Sequence, residues 1–263
     1  MPRSIYALYE KSVQSPERHV AWFDDVYLGL RGYPARSLRE DFCGTHLLAT
    51  HWVGLRPGNV ALGLDLDAET LKHGQERNRR KLKPSLRQRV IVSRADVMNV
   101  TRPGVDLLVA CNFSFFIFKQ RELLAKYFRA VHGSLAKNGL AIFEMAGGPG
   151  MIEPVRERKV FKRGGKWDFT YIWDQKSFDP ITHDAKYAIH FNLADGTRIH
   201  DAFTYDWRLW TIPEVKDLLA ECGFKEIRVY WETSHEGEGT GEYVETQNAD
   251  NAWAWIAYVV AGR

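Results

Sequence analysis

The chain has 263 residues, of which 45% are hydrophobic and 26% charged. That length supports one large domain, or one domain carrying an insert, with a sizeable core, and the composition excludes a disordered tail. The net charge of +3 is too small to argue for a nucleic-acid partner on charge alone.

Aromatic residues are unevenly placed. Of 34, 15 fall in residues 1–160 and 19 in the shorter stretch 161–263, with seven of the nine Trp in the second. A core or a binding pocket would each use such flat apolar surfaces. The three cysteines, Cys43, Cys111 and Cys222, are odd in number and widely spaced. They match neither a disulfide framework nor a zinc pattern, and read as buried thiols in a reducing compartment. No apolar run is long enough for a membrane span, and no apolar stretch follows the N-terminal basic residue as in a signal peptide. The expectation is a soluble, cytoplasmic protein.

Residues 4–31 carry apolar positions at helical spacing, broken by Ser15-Pro16-Glu17 and ended by Gly32-Tyr33-Pro34. Strands and helices then alternate. Strands are predicted over 35–40, 60–65, 89–93, 105–111 and 139–145, and helices over 47–53, 68–82 and 121–135. Near-continuous apolar strands separated by helices imply a parallel sheet covered on both faces. Such sheets bind ligands beyond the carboxyl ends of their strands.

After Gly147-Gly148-Pro149-Gly150 the pattern changes to antiparallel β, with aromatics at period two from Trp167 to Trp173. Ala194-Asp195-Gly196 marks a hairpin. A three-residue loop with Gly196 left-handed sets Tyr187 against Phe203, Phe191 against Ile199, and His190 against His200 on the other face. Asp201 is then a misfit, alone among apolar residues. Thr211-Ile212-Pro213-Glu214 starts a helix that Gly223 ends, and 225–232 and 252–261 read as strands. Residues 233–251 hold Glu236, Glu238, Glu242, Glu245 and Asp250 without Lys or Arg, and read as a loop.

Four polar features stand at successive strand ends: Glu40 with Asp41-Phe42-Cys43-Gly44-Thr45, Asp65-Leu66-Asp67, Asp96-Val97, and Cys111-Asn112-Phe113-Ser114. Each alone is a helix cap or a solvated turn as readily as a ligand. Four in order fit a nucleoside-like ligand lying across the sheet. A carboxylate after the second strand can accept both ribose hydroxyls, and Gly44 allows close backbone approach.

The order of these segments, with Asp106-Leu107-Leu108-Val109, the turn Leu135-Ala136-Lys137-Asn138-Gly139-Leu140, and the ending Trp210-Thr211-Ile212-Pro213-Glu214 to Cys222-Gly223-Phe224, resembles class I S-adenosylmethionine-dependent methyltransferases. The resemblance covers roughly 35–145 and 208–260. The antiparallel stretch is similar to the lids of small-molecule N-methyltransferases. The resemblance implies a Rossmann-like, mostly parallel seven-stranded α/β sheet over 35–148 and 208–263. It implies an N-terminal helical lid over 1–34 and an antiparallel acceptor lid over 149–207.

It also implies roles. Glu40 would orient the methionine amino group, with Asp41 as the alternative. Phe42, Cys43, Gly44 and Thr45 would form the turn beneath the methionine part. Asp65 with Leu66 would hold the ribose, and Asp96 with Val97 the adenine. Cys111, Asn112 and Phe113 would lie beside the sulfonium, with Tyr9 folding over the cofactor. Phe116, Tyr187, His190, Trp207 and Trp231 would line the acceptor pocket. His190, His200 and Tyr9 are the candidate bases, and His46 a weaker one.

One departure matters. Phe42 and His46 stand where the family's loop has glycines, and only Gly44 remains. That argues against a dinucleotide, whose pyrophosphate needs the bare loop. His46 and His51 do not share a helical face, so no metal pair forms and no metal is expected. The basic run from Arg77 to Arg89 reads as a solvated face, with RNA as its sharper alternative. A second run, Arg156, Arg158, Lys159, Lys162, Arg163 and Lys166, can meet an anionic substrate. The expected function is S-adenosylmethionine-dependent methyl transfer to a small-molecule acceptor, at an amine nitrogen. RNA or protein methylation and a non-catalytic nucleoside-binding scaffold are the competing readings. No membrane partner is expected, and oligomeric state, homo-oligomers included, stays open.

Overall fold

The computed structural model describes residues 4–235 and 238–263; Glu236, from the acidic stretch, lies outside them. The N-terminal region is two helices, α1 (Ile5–Val13) and α2 (Pro16–Arg31), separated at the expected proline and closed by Gly32 in the left-handed conformation. The alternating region follows: β1 (Ser37–Asp41), α3 (Leu47–Leu55), β2 (Val60–Asp65), α4 (Ala68–Arg77), the single turn α5 (Pro84–Arg87), β3 (Val90–Arg94), β4 (Val105–Ala110), α6 (Arg121–Ser134) and β5 (Leu135–Gly147). The insert is β6 (Arg156–Arg163), β7 (Lys166–Phe178), β8 (Asp184–Leu193) and β9 (Arg198–Arg208). The chain returns through α7 (Ile212–Glu221), β10 (Glu226–His235), β11 (Glu238–Glu245) and β12 (Trp255–Gly262).

The main sheet has the order β11-β10-β12-β5-β4-β1-β2-β3, and the insert forms a separate sheet β6-β7-β8-β9. Strands β1 to β5 are mutually parallel, β12 runs antiparallel between β5 and β10, and β11 is an antiparallel edge. Strand order reverses at β1, which pairs with β4 on one side and β2 on the other. The crevice over their carboxyl ends is the place where such sheets take ligands. One core packs under α6 and α7, around Phe115, Phe128, Phe143 and Leu219; a second packs under α2 and α3, around Phe23, Tyr27 and Trp52.

Three expectations are corrected. The sheet has eight strands rather than seven, because part of 233–251 is the strand β11 and not a loop. Tyr243 alternates inward there and packs on Trp22 and Tyr258, while Glu242 and Glu245 stay exposed on an edge that charge protects from further pairing. The predicted helix over 68–82 stops at Arg77 and gives way to a 3-10 turn at Arg79–Lys81. In the basic run, Arg79, Arg87 and Arg89 spend their guanidinium groups on the carbonyls of Val90, Leu82 and Asn59. Lastly, the hairpin has the predicted three-residue loop, with Phe191 opposite Ile199, but a bulge shifts the pairing beyond it. Asp201 loops out at φ 48°, half its side chain exposed, and Tyr187 meets Tyr205 instead of Phe203. The misfit carboxylate is thereby removed from the apolar face while the alternation is kept.

Arg39 ties the sheet to its ligand-side loops. It is fully buried on β1, facing α6. Its Nε donates to Asp41 at 2.6 Å, Nη2 to the Val97 carbonyl at 2.6 Å, and Nη1 to the Asn99 carbonyl, Thr101 and Ser134 at 2.9–3.2 Å. Asp41 accepts a second bond from the Tyr127 hydroxyl at 2.9 Å. Removing one partner of a buried pair leaves a charge without compensation, at a cost of about 3–5 kcal/mol. Arg39→Met should lower the unfolding free energy in urea by about that much, and Arg39→Met/Asp41→Asn should recover part of the loss. Wild-type stability in the single variant would show that the network carries no weight.

Candidate active site

The turn after β1 keeps the backbone of a glycine loop without its glycines. Phe42, Gly44 and His46 all have positive φ, at 55°, 51° and 43°. Phe42 is held there by packing against Phe118 and Tyr127, both 5.9 Å between ring centroids. His46 is buried against Gly74 of α4, where a Cβ would overlap the His46 ring and the Thr45 carbonyl. Burial lowers the His46 imidazole to about 4, so it is neutral. Gly63 makes the same kind of room for Cys43, since a Cβ there would lie 2.8 Å from the Cys43 sulfur. The two small residues on neighbouring elements thus receive the bulk that the loop itself carries.

The two carboxylates of β1 point to opposite faces. Asp41 faces α6 and spends its oxygens on Arg39 and Tyr127. Glu40 faces α3, is buried, and accepts one backbone bond, from Ala49 at 3.0 Å; among the described residues it has no basic partner. Burial pushes Glu40 up to about 8, with Asp65 and Asp41 adding to the rise against the pull of the Ala49 amide. The Asp65 carboxylate, at the end of β2, accepts the Gly44 amide at 2.7 Å and the Asp67 amide at 2.9 Å, fixing the β1 turn to the β2 end. Leu66 beside it is exposed. Asp67 caps α4 through the amides of Glu69 and Thr70. Asp96 is exposed and accepts the Met98 amide, whereas Val97 is buried with its carbonyl on Arg39. Thr45 is buried within the turn.

At the end of β4 the chain makes two successive left-handed residues, Asn112 at φ 53° and Phe113 at φ 58°. Non-glycine residues in this region carry a cost that clusters at functional sites. Here the bend brings the Asn112 amide to the Glu144 carboxylate, 2.6 Å away on β5. Glu144 is buried opposite Tyr258 of β12 and, like Glu40, has no basic partner among the described residues. Burial raises its carboxyl to about 7, with the Asn112 amide and Tyr258 opposing. Cys111 feels Glu144 and Glu40; burial, then these charges, holds its thiol well above the ordinary range.

Helix α1 spans the two sheets. Ser4 meets His73 at 3.2 Å and Glu10 accepts from Asn78 at 2.6 Å, both on the α4 side. Leu8 packs among Phe169, Ile189 and Phe191 of the insert, and Lys11 pairs with Asp168 at 3.0 Å. Tyr9 lies 4.8 Å from the Phe203 ring and interacts with the Tyr205 side chain. Burial, opposed by Tyr205 and aided by Glu144 and Cys111, pushes its hydroxyl up to about 12. Tyr9, Cys111, Asn112 and Glu144 are therefore one cluster over the strand ends.

Other candidates lie elsewhere. The face of the insert that meets α1 carries Phe169, Ile189, Phe191 and Phe203, so His190 and His200 project from the opposite face, away from Tyr9. Neither joins the cluster at the strand ends. Phe116, Tyr187 and Trp207 are each at most 3% exposed and pack together with Phe113 and Trp173. They form the joint between insert and main sheet, and offer no open wall. Trp231 packs on Trp255 with ring centroids 4.9 Å apart and lines a cleft of about 1090 Å³ with Trp210 and Ile227, on the α7 side of the sheet. Glu144, Tyr205 and Arg39 are missing from the sequence-based set. A lone carboxylate within the apolar run Ala141-Ile142-Phe143-Glu144-Met145-Ala146 was the available signal for Glu144.

No family model matches the chain, and no curated protein matches it by sequence. Solved structures do. The amino pentose methyltransferase CalS10 from Micromonospora echinaspora, with bound S-adenosylmethionine, is 16% identical with a TM-score of 0.72, over 100% of this chain and 98% of that one. The sugar N-methyltransferase KedS8 from a Streptoalloteichus species is 17% identical with a TM-score of 0.68, over 100% and 94%. DesVI from Streptomyces venezuelae is 16% identical with a TM-score of 0.70, over 98% and 96%. Matches of this extent include the N-terminal helices and the insert as well as the main sheet, and the chain has the fold of class I S-adenosylmethionine-dependent methyltransferases.

Proposed function

We propose that the protein transfers a methyl group from S-adenosylmethionine to an amine of a small-molecule acceptor. The observation that carries this reading is the pair of buried carboxylates without a cation among the described residues, Glu40 on β1 and Glu144 on β5, on either side of β4 and its Cys111-Asn112 turn. A buried carboxylate is stable when a positive charge neutralises it. S-adenosylmethionine, when bound, brings an ammonium and a sulfonium whose methyl is already activated. The residues present fit it: Glu40 for the ammonium, the left-handed turn with Gly44 for close approach, Asp65 for the ribose hydroxyls, and Leu66, Asp96 and Val97 for the adenine. The solved structures with sugar and amino-sugar methyltransferase activity support the donor and the class of acceptor.

The protein's own work is then positioning and proton handling. An acceptor amine must lose its proton before it attacks, and Glu144, poised near neutrality, serves as the acceptor of that proton. Tyr9 and Tyr205, held as neutral phenols by burial, orient the amine and close the site to water from the α1 side. The Cys111 thiol stays protonated and is a poor nucleophile there.

Calorimetry with S-adenosylhomocysteine should show one site per chain. Asp65→Asn should weaken it roughly tenfold, the loss of a charge-assisted hydrogen bond. Absence of binding to the wild type would refute the reading, and binding without transfer to any amine would leave a scaffold. With an amine acceptor, kcat/KM should rise through about pH 7, and Glu144→Gln should remove that limb and lower kcat by about 10²–10⁴. A profile unchanged in the variant would exclude Glu144 as the base.

The same groups set the stability of the unliganded protein. Glu40 and Glu144 titrate at about 8 and about 7 in the fold against 4.5 ordinarily, so the native state binds more protons between these values. Stability contributed by the two protonated groups should therefore fall as pH rises from about 4.5 towards 8. Thermal unfolding across that range should show a shallower fall in Glu40→Gln/Glu144→Gln; an equal slope would assign it to other groups.

A further inference from the structure

The face of the insert turned away from α1 gathers arginines and polar side chains from three strands. Arg156 and Arg158 on β6, His190 and Asn192 on β8, and Arg198 and His200 on β9 line one hollow of about 170 Å³. The register explains the convergence: Arg158 and His190 both pair with Ile172, and Asn192 pairs with Arg198. Like charges drawn together across a sheet disfavour it unless something of opposite sign lies between them.

The protein's own carboxylates do not fill that role. Asp174 is buried and already taken, by Arg156 at 2.7 Å and by His190 Nε2 at 3.0 Å. The Arg156 guanidinium holds its carboxyl at about 2. Asp201, in the bulge, pairs with Lys176 at 2.6 Å. The Asp201 amide donates to His190 Nδ1 at 2.8 Å, so the ring is fixed between a donor and an acceptor. Arg158 and Arg198 have no hydrogen bond or ion pair with any described residue, although both line the hollow. Two free guanidinium forks, with Asn192 and His200 beside them, form the donor set that recognises a tetrahedral oxyanion. At about 30 Å³ per water, the hollow admits about six waters, or one such ion.

We propose that this hollow is a phosphoryl-binding site, with Arg158 and Arg198 as the principal ligands. It stands on the opposite face of the insert from the candidate active site, and the argument for it is independent of the methyl-transfer reading. Inorganic phosphate and a phosphate monoester share the chemistry, and the open side of the hollow decides between them.

The test is calorimetry on the full chain at constant ionic strength, with inorganic phosphate in one arm and glycerol phosphate in the other. Three variants accompany the wild type: Arg158→Gln/Arg198→Gln, the milder Arg198→Lys, and Lys162→Gln, an exposed cation of β6 outside the hollow. The expected result is one phosphate per chain, weakened at least roughly tenfold in the double variant, less in Arg198→Lys, and unchanged in Lys162→Gln. Saturating phosphate should raise the midpoint of thermal unfolding by about 2–4 °C beyond the general salt effect, which the double variant still shows. Binding of phosphate alone identifies a free-ion site, and binding of both ligands identifies a site for a phosphorylated molecule. No binding of either, or equal binding in the wild type and the folded double variant, overturns the proposal.

Discussion

A guanidinium removed from water organises the ligand side of this protein. Arg39 sits at zero exposure inside the sheet and uses all its nitrogens. Its partners lie on β1 itself, on the loop after β3, and at the end of α6. The loop carrying Asp96 and Val97 is therefore fixed relative to the turn after β1 by charge-assisted bonds in a low dielectric, where such bonds are strong and their absence costly. One consequence falls on the neighbouring carboxylates. Asp41 is committed to Arg39, and Glu40, one residue earlier and on the other face, is left as the carboxylate without a cation. The alternation of a β-strand thus separates a structural acid from one available to a ligand.

The turn itself shows how residues other than glycine can hold a left-handed backbone. Left-handed conformations cost an ordinary residue roughly 1–2 kcal/mol, and the turn contains Phe42 and His46 at that cost. What offsets it lies outside the loop. Phe42 adds a ring to the core under α6, and His46 fills the space left by Gly74. The glycines needed for close packing are found at 63 and 74, on β2 and α4, rather than all in the loop. The turn is left-handed at Phe42, Gly44 and His46 all the same, and Gly44 is the residue whose amide reaches Asp65.

Much of this architecture was legible in the sequence because its signals are local. Apolar runs, Pro16, Gly32 and the Thr211 to Glu214 capping box each dictate structure within a few residues, and the strand-end acids follow from them. The features that escaped depend on distant partners. Arg39 finds its acceptors 58 to 95 residues along the chain, apart from Asp41. Glu144 acquires meaning only when the bend after β4 places the Asn112 amide on it. Strand β11 was hidden by its acids, which are an edge strand's charges rather than a loop's. For His190 and His200, period two correctly put the pair on one face. Alternation alone does not say which face meets α1, and Leu8 and Tyr9 decide it.

Unlike the two faces of the insert, which divide apolar packing from cations, the strand ends concentrate negative charge in a buried space. The rise in the Glu40 carboxyl reflects burial first and then the charges of Asp65 and Asp41. Without a ligand the Glu40 and Glu144 carboxyls are pushed upward, chiefly because ionising a buried group in low dielectric is unfavourable. A cation changes the balance at each of them. Any cationic ligand that prefers the ionised form must release protons as it binds, by the same linkage that ties proton uptake to folding. On the proposed reading, charge as well as shape selects the ligand. On that reading, a neutral nucleoside would leave Glu40 and Glu144 without compensation. A cationic one would compensate both, since among the described residues no lysine or arginine pairs with these two carboxylates, while such pairs form elsewhere, at Asp24, Asp168 and Asp174.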